Sequence, residues 1–340
     1  MLYFIIKLCF ILIFFLGSTQ SDEKTVEEIE KLEIENKIVN FHNFNYTLNP
    51  HEYICNDEDI FLLVYVHSAP QNFKRRIAVR ETWSNVFKDM RVVFMVGDTE
   101  DKALKSLLKY EYSLYMDLVQ QNFIDSYRNL TYKGIMALKW SSEYCSNVKY
   151  ILKVDDDIIV NIFLFWWHLK KLDEHKMLAK KTILCNVWTK MKVIRDEKSK
   201  WYLSKDDFKP NYFGKYCSGS AFLLTNELAR DMYNASKYIK FFWVDDYYVS
   251  GQLARAANAE FYRFNEFYSI RATSVEQKFK DSNTLIFGHT SKQKNIFYTI
   301  WNHIFQEQLI LIPKLSIDLQ NEIKSVVSRE FWWSKDIFSY

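Results

Sequence analysis

Hydrophobic positions in the first half of this chain fall in blocks. Residues 60–66, Ile-Phe-Leu-Leu-Val-Tyr-Val, form an unbroken apolar run of strand length, the pattern of a strand buried on both faces. Residues 91–96 repeat it and end at Gly97, and residues 150–154 give another such run, ending in Asp155, Asp156 and Asp157. Between these runs, residues 74–83 read as a basic helix, 99–112 as a helix and 115–119 as a short strand. Residues 126–144 read as a helix with Leu130, Ile135, Leu138 and Tyr144 contributing to one face. Strands alternating with helices predict an α/β fold on a mostly parallel sheet. In such sheets ligands bind beyond the carboxyl ends of the strands, where the three aspartates fall.

The N-terminus departs from this pattern. Residues 2–16 are apolar apart from Lys7. A cleaved signal peptide would use residues 8–16 as its apolar core, with Gly17, Ser18 and Thr19 at the cleavage site. A signal anchor would keep the segment as a membrane helix, short against the usual about 17–25 residues, with Lys7 snorkelling toward the cytosol. Either reading sends the rest of the chain into the secretory pathway. The expected layout is residues 1–19 as cytosolic tip and anchor, 20–53 as a stem and 54–340 as one large domain. Val26, Ile29, Leu32 and Ile38 give the stem a narrow helical stripe. Asn45, Asn129 and Asn234 begin glycosylation sequons. Beyond Cys9, the cysteines are Cys55, Cys145, Cys185 and Cys217. In an oxidising lumen they permit two disulfides in three connectivities; buried free thiols are the other reading.

Composition narrows the classes. Hydrophobic residues at 49% and charged residues at 26% suit a packed core and exclude general disorder. A net charge of +3 gives no whole-protein field of the kind a nucleic-acid binder needs. The aromatic content of 17% fits either a compositional bias or sugar stacking.

Three constellations carry candidate chemistry. Lys153 precedes the triplet Asp155, Asp156 and Asp157. Clustered carboxylates repel and call for a cation. Their oxygens suit hard ions such as Mg²⁺ or Mn²⁺, which bridge a diphosphate; the bland alternative is a solvated acidic turn. Arg76 and Arg80 share one helix face and suit phosphate, unless they are an exposed basic face or buried ion-pair partners. Asp245 and Asp246 follow Phe241, Phe242 and Trp243. A carboxylate beside aromatics suits a general base toward a sugar hydroxyl on an aromatic acceptor platform; the alternative is a pair of helix-capping residues. Glycine is scarce, and Gly97, Gly219, Gly251 and Gly288 all lie in or beside these segments, which points to positive φ or close backbone approach.

In order, these segments resemble glycosyltransferase family 31, the β-1,3-galactosyltransferases and their N-acetylglucosaminyl relatives. The R-x-x-x-R-x-T-W signature is matched by Arg76, Arg80, Thr82 and Trp83. A Phe94-Met95-Val96-Gly97 strand, Glu111, Tyr115-Met116-Asp117-Leu118 and the Asp125-Ser126-Tyr127-Arg128-Asn129-Leu130-Thr131-Tyr132-Lys133 stretch follow. Lys153, Asp155-Asp156-Asp157 and Asn161 match the aspartate motif. Tyr216-Cys217-Ser218-Gly219 matches the cysteine turn, and Asp245-Asp246-Tyr247-Tyr248-Val249 with Gly251 matches the last acidic motif. The resemblance implies a GT-A fold, a type II Golgi anchor, Mn²⁺, a UDP-sugar donor and a glycan acceptor on glycoprotein or glycolipid. It implies an inverting hexosyltransferase forming β-1,3 linkages, with galactose the leading donor. N-acetylglucosaminyl transfer, or a non-catalytic lumenal glycan-binding protein of the same fold, are the alternatives. Carried over, Asp246 takes the place of the base with Asp245 beside it. Asp157 and Asp155 are metal ligands, and Arg76, Arg80, Lys153, Asp155 and Asp156 lie on the donor side. His289, in Phe287-Gly288-His289, is a further candidate ligand outside the resemblance; a structural histidine is its other reading. The sequence departs from the family at Ser84 for glycine, Asp245 for glutamate and Tyr247 for a small aliphatic residue. It also lacks a proline before the Tyr216-Cys217 turn, where Phe213 and Gly214 stand. These departures bear on acceptor choice.

Overall fold

The computed structural model describes residues 32–56, 60–291 and 294–311. The apolar runs become strands β2 (Leu62–His67), β3 (Met90–Asp98) and β5 (Tyr150–Asp155), with β4 (Leu118–Ile124) between β3 and the edge strand β1 (Tyr46–Leu48). Strands β4, β3, β2 and β5 are parallel neighbours. Beyond β5 lie β8 (Tyr216–Thr225), antiparallel to it, then β7 (Thr182–Trp188), antiparallel to β8, and β9 (Glu260–Arg263), parallel to β7. The sheet is therefore mixed, where a mostly parallel one was expected. A strand buried on both faces reads as the same apolar run in either direction, so the reversal at β8 has no signature in the pattern. Strand alternation sorts the core. Val64 and Val66 join Trp83, Phe94 and Trp166 on one face. Leu63 and Tyr65 join Met136, Trp140 and Tyr248 on the other.

The helices fall near their expected places: α2 (Phe73–Arg80), α3 (Lys102–Tyr115) and α4 (Leu130–Tyr144), after a single turn α1 (His51–Ile54). Helix α3 starts where the Asp101 side chain accepts from the Ala103 and Leu104 N–H groups, and ends at Met116 with φ 49°. The strand expected at 115–119 therefore begins at Leu118; Tyr115 still belongs to the helix. Past β5 come β6 (Ile158–Val160), α5 (Ile162–Glu174), α6 (Asn226–Ser236) and the single turn α7 (Asp245–Tyr247). A π-helical turn over Tyr248–Leu253 continues α7. The chain ends its described course in β10 (Tyr268–Ser269), α8 (Val275–Asp281), β11 (Phe287–His289) and α9 (Lys294–Leu311). Strand β6 pairs with β11, and β11 with β10, in a second small sheet. Residues 191–214 form a unit of their own, with the Arg195 guanidinium donating to the carbonyls of Leu203, Ser204, Phe208 and Pro210.

The stem boundary moves. Residues 32–53 are joined to the fold: Glu35 and Val39 N–H groups donate to the Tyr238 and Lys237 carbonyls, and β1 adds to the sheet. Backbone pairing of this kind leaves no hydrophobic signature, which is why polarity suggested a stem. The expected anchor, residues 1–19, lies outside the described residues, and no described helix is long and apolar enough to cross a membrane. Of the three connectivities, the structure selects Cys55–Cys145 and Cys185–Cys217, with Cα separations of 5.2 and 5.7 Å.

Candidate active site

The carboxyl ends of β2 and β5 lie side by side, with His67 in register with Asp155. The three aspartates have different surroundings. Asp156 is 5% exposed. Its N–H donates to the His67 carbonyl, and its carboxylate accepts from Ser68 Oγ at 2.7 Å, Asn72 Nδ2 at 2.9 Å and Arg75 Nη1 at 2.7 Å. The expectation that Asp156 faces a donor is corrected: it fastens the strand end to α2. Asp155 accepts from Lys153 Nζ. Burial, with the charges of Asp157 and Asp246, pushes its carboxyl up to about 7 against the pull of Lys153. Asp157 lies 3.4 Å from both Arg75 Nη1 and His289 Nε2. Burial acts against its charge, but the His289 contact and the Arg75 guanidinium outweigh it and hold this carboxyl below the usual range.

His289 arrives from a distant part of the chain because β11 pairs with β6, opposite Ile158. Its contact with Asp157 raises its own pKa. A carboxylate and an imidazole, both partly exposed, form a donor set that suits Mn²⁺. Two protein ligands also leave positions for phosphate oxygens. Asp155, also expected as a ligand, is partly exposed and gives Oδ1 to Lys153. Among the described residues no three acidic, histidine or cysteine side chains come together as a metal cluster.

Lys153 is 2% exposed. Its ammonium is enclosed by Asp155 and the Gly219 carbonyl, so it is a buried counter-charge rather than a donor contact. Burial works against that charge, but Asp155, Asp246 and Asp245 together raise its pKa. The same glycine receives Asp246. A Cβ on Gly219 would fall 1.7 Å from Asp246 Oδ1, so only glycine lets this carboxylate sit against β8. No described glycine has a positive φ; of the two reasons offered for scarce glycine, close approach is the one found here. Burial raises the Asp246 carboxyl, opposed by Lys153 and a hydrogen bond from the Gly219 backbone. Burial and the charge of Asp246 raise Asp245 much further. Neither side chain caps the helix; the N-cap position is Val244. The π-helical turn that follows is tied to β8 by Ser250, which donates to the Asp246 carbonyl at 2.6 Å and accepts from the Cys217 N–H at 2.9 Å. Such turns recur at functional sites.

Of the readings offered for Arg76 and Arg80, the structure shows the buried ion-pair partners. Arg76 is 0% exposed. It pairs with both Glu111 oxygens at 2.8 and 2.6 Å and donates to Ser68 Oγ and the Ala69 and Pro70 carbonyls. Arg80 makes a bidentate pair with Asp117 at 2.8 Å and reaches Glu111 at 2.7 Å. Arg76 braces the loop after β2 from inside, and Arg80 joins the end of α3 to Asp117 just before β4. The arginine that reaches the strand end is Arg75, which sequence reasoning passed over because spacing favoured the Arg76 and Arg80 pair. The one available signal was its place beside Arg76, turned to the neighbouring helix face. The aromatic run is partly structural: Phe241 stacks on Tyr132 at 4.5 Å, and Arg128 lies over Trp243 at 3.7 Å.

Residues 74–264, more than half of the chain, match the family model described as Galactosyltransferase. The chain belongs to the galactosyltransferase family. Among its relatives, the mouse and human β-1,3-galactosyltransferase 1 are each 27% identical over 277 residues, covering 77% of this chain and 83% of theirs. The human lactosylceramide 1,3-N-acetyl-β-D-glucosaminyltransferase is 28% identical over 222 residues, covering 61% of this chain and 57% of that one. Among solved structures, the galactosyltransferase LgtC in complex with donor and acceptor sugar analogues aligns at 11% identity and a TM-score of 0.37, over 71% of this chain and 95% of that one. The matched range contains Arg75, Arg76, Arg80, Lys153, the three aspartates, Gly219, Asp245 and Asp246, and leaves out His289.

Proposed function

We infer that this galactosyltransferase family member is an inverting, GT-A-type β-1,3-hexosyltransferase of the Golgi lumen. Its donor is a UDP-hexose, with galactose leading, and its acceptor is a glycan hydroxyl. The observation that carries the reading is the meeting at Gly219: Lys153, from the strand that ends in the aspartates, and Asp246, from the last acidic motif, converge on one residue of β8. The acceptor 3-oxygen attacks the anomeric carbon as the bond from that carbon to the UDP oxygen breaks. The acceptor proton passes to Asp246, and UDP leaves with the electron pair. Attack from the face opposite the leaving group turns an α-linked donor into a β-linked product. Asp157 and His289 would hold a divalent ion, Mn²⁺ in this reading. When bound, that ion supplies positive charge for the departing diphosphate. Arg75 adds fixed charge beside Asp157, and Arg76 keeps the loop after β2 in place. The N-acetylglucosaminyl relative keeps UDP-N-acetylglucosamine as the second donor.

The test is a donor screen with purified protein and Mn²⁺, offering UDP-galactose and UDP-N-acetylglucosamine with glycan acceptors and reading product linkage. Transfer with a new β-1,3 bond is expected. Absence of both transfer and hydrolysis with every UDP-hexose would sink the reading.

A further inference from the structure

Beside the acidic pair lies a small space whose Tyr65 and His67 side chains the reaction as described does not use. It is lined by Tyr65 and His67 of β2, Lys153 of β5, Phe222 of β8, Gly134 of α4, and Asp245, Asp246 and Val249, with a volume of about 10 Å³, the scale of a single water. Gly134 and Val249 close it from the helix side: a Cβ on Gly134 would meet Val249 Cγ2 at 2.8 Å.

Two of its polar groups are stranded. Tyr65 is 1% exposed and His67 7%, and among the described residues neither Tyr65 Oη nor His67 Nε2 has a hydrogen-bond partner. Their rings lie 5.5 Å apart on the same face of β2. A buried polar atom left unpaired is costly, and here the two side chains that carry such atoms line one small space. The imidazole cannot relieve this by charging. Burial, followed by the ammonium groups of Lys153 and Lys133, holds it neutral. A neutral imidazole can still accept or donate one hydrogen bond. Both carboxylates of the pair line this space, and Asp246 also lies against Gly219.

We propose that this space is a built site for one ordered water, held by Tyr65 Oη and His67 Nε2 and bonded to the acidic pair. Tyr65 and His67 are thereby positioning residues for the acidic pair. The water needs two to four polar partners, and the walls supply them. The inference rests on the transferase reading above for its kinetic consequence, and on geometry alone for the water. The water steadies the pair, while Gly219 admits the Asp246 carboxylate to β8.

The test combines a high-resolution crystal structure of the protein with kinetics of Tyr65→Phe, His67→Leu and His67→Gln. Density for a water within hydrogen-bond distance of Tyr65 Oη and His67 Nε2 is expected. Tyr65→Phe, which keeps the ring, should lower kcat by about tenfold or more through a misplaced carboxylate, with donor KM and thermal midpoint unchanged. His67→Gln should recover most of what His67→Leu loses. A dry space, or a Tyr65→Phe enzyme with unaltered kcat, overturns the proposal. If the unmodified protein transfers no sugar at all, the transferase reading fails separately, and the density still decides the water.

Discussion

Two buried charge clusters lie on either side of the loop that follows β2, and they are built to opposite ratios. In the first, the guanidinium groups of Arg76 and Arg80 meet the carboxylates of Glu111 and Asp117, cation for anion. Burial still lifts the Asp117 carboxyl, against the pull of Arg80, yet every charge has a bidentate or shared partner. In the second, Lys153 alone faces Asp155, Asp245 and Asp246. The same residue types thus serve opposite ends. A balanced set, each cation matched by an anion, fixes a loop. An anion-rich set keeps carboxyls with raised proton affinity at the end of a strand, where a proton can be taken and a cation welcomed.

Breaking the balanced cluster should cost most. Arg76→Ala leaves Glu111 with a buried, half-compensated charge, and about 3–5 kcal/mol of stability should be lost, read as a fall in the thermal or denaturant midpoint. Because Arg76 is enclosed, the fraction that remains folded should keep its donor affinity. A stable variant with weakened UDP binding would return Arg76 to the donor side.

Breaking the anion-rich cluster should instead spare the fold. Asp246→Asn should lower kcat by about a hundredfold or more, the scale of a lost general base, with UDP affinity nearly unchanged by titration calorimetry. Asp245→Asn should cost less; reversed losses move the base to Asp245. Asp157→Asn should abolish metal-dependent turnover in a protein that still folds. Full turnover in EDTA with no residual metal would exclude that role.

Changing the ratio sharpens the comparison. A base must be ionised, so turnover falls as the pH drops through its pKa. Burial raises Asp246, so the acid limb of kcat should stand above the ordinary carboxylate value of about 4. Lys153→Met removes the opposing charge and should move that limb upward by about one unit or more. A limb that stays in place would detach Lys153 from the base.

The smallest effect is on stability. Asp155, at about 7 in the fold, has an unfolded value of about 4. Between those values the fold holds a proton that the unfolded chain has released. The contribution is complete below the lower value and lost as pH rises through the upper one. In EDTA, the thermal midpoint should therefore drift down toward neutral pH, and Asp155→Asn should flatten the drift.

The sequence by itself determined the parallel centre of the sheet, because β2, β3 and β5 are apolar runs whose burial requires strands. It also brought out the aspartates at a strand end and the last acidic motif, since their residue types carry the chemistry at any fold. Tertiary structure decided the rest. The direction of β8 and the pairing of the four cysteines depend on which segments meet, and no periodicity encodes that. The choice among arginines turned on a helix rotation: Arg76 faces the interior and Arg75 the strand end, although they are neighbours in sequence. His289 reaches Asp157 across 131 intervening positions only because β11 pairs with β6. The proton affinities of Asp155, Asp245 and Asp246 arise from burial and from one shared lysine, and both are properties of the packed molecule, not of the chain.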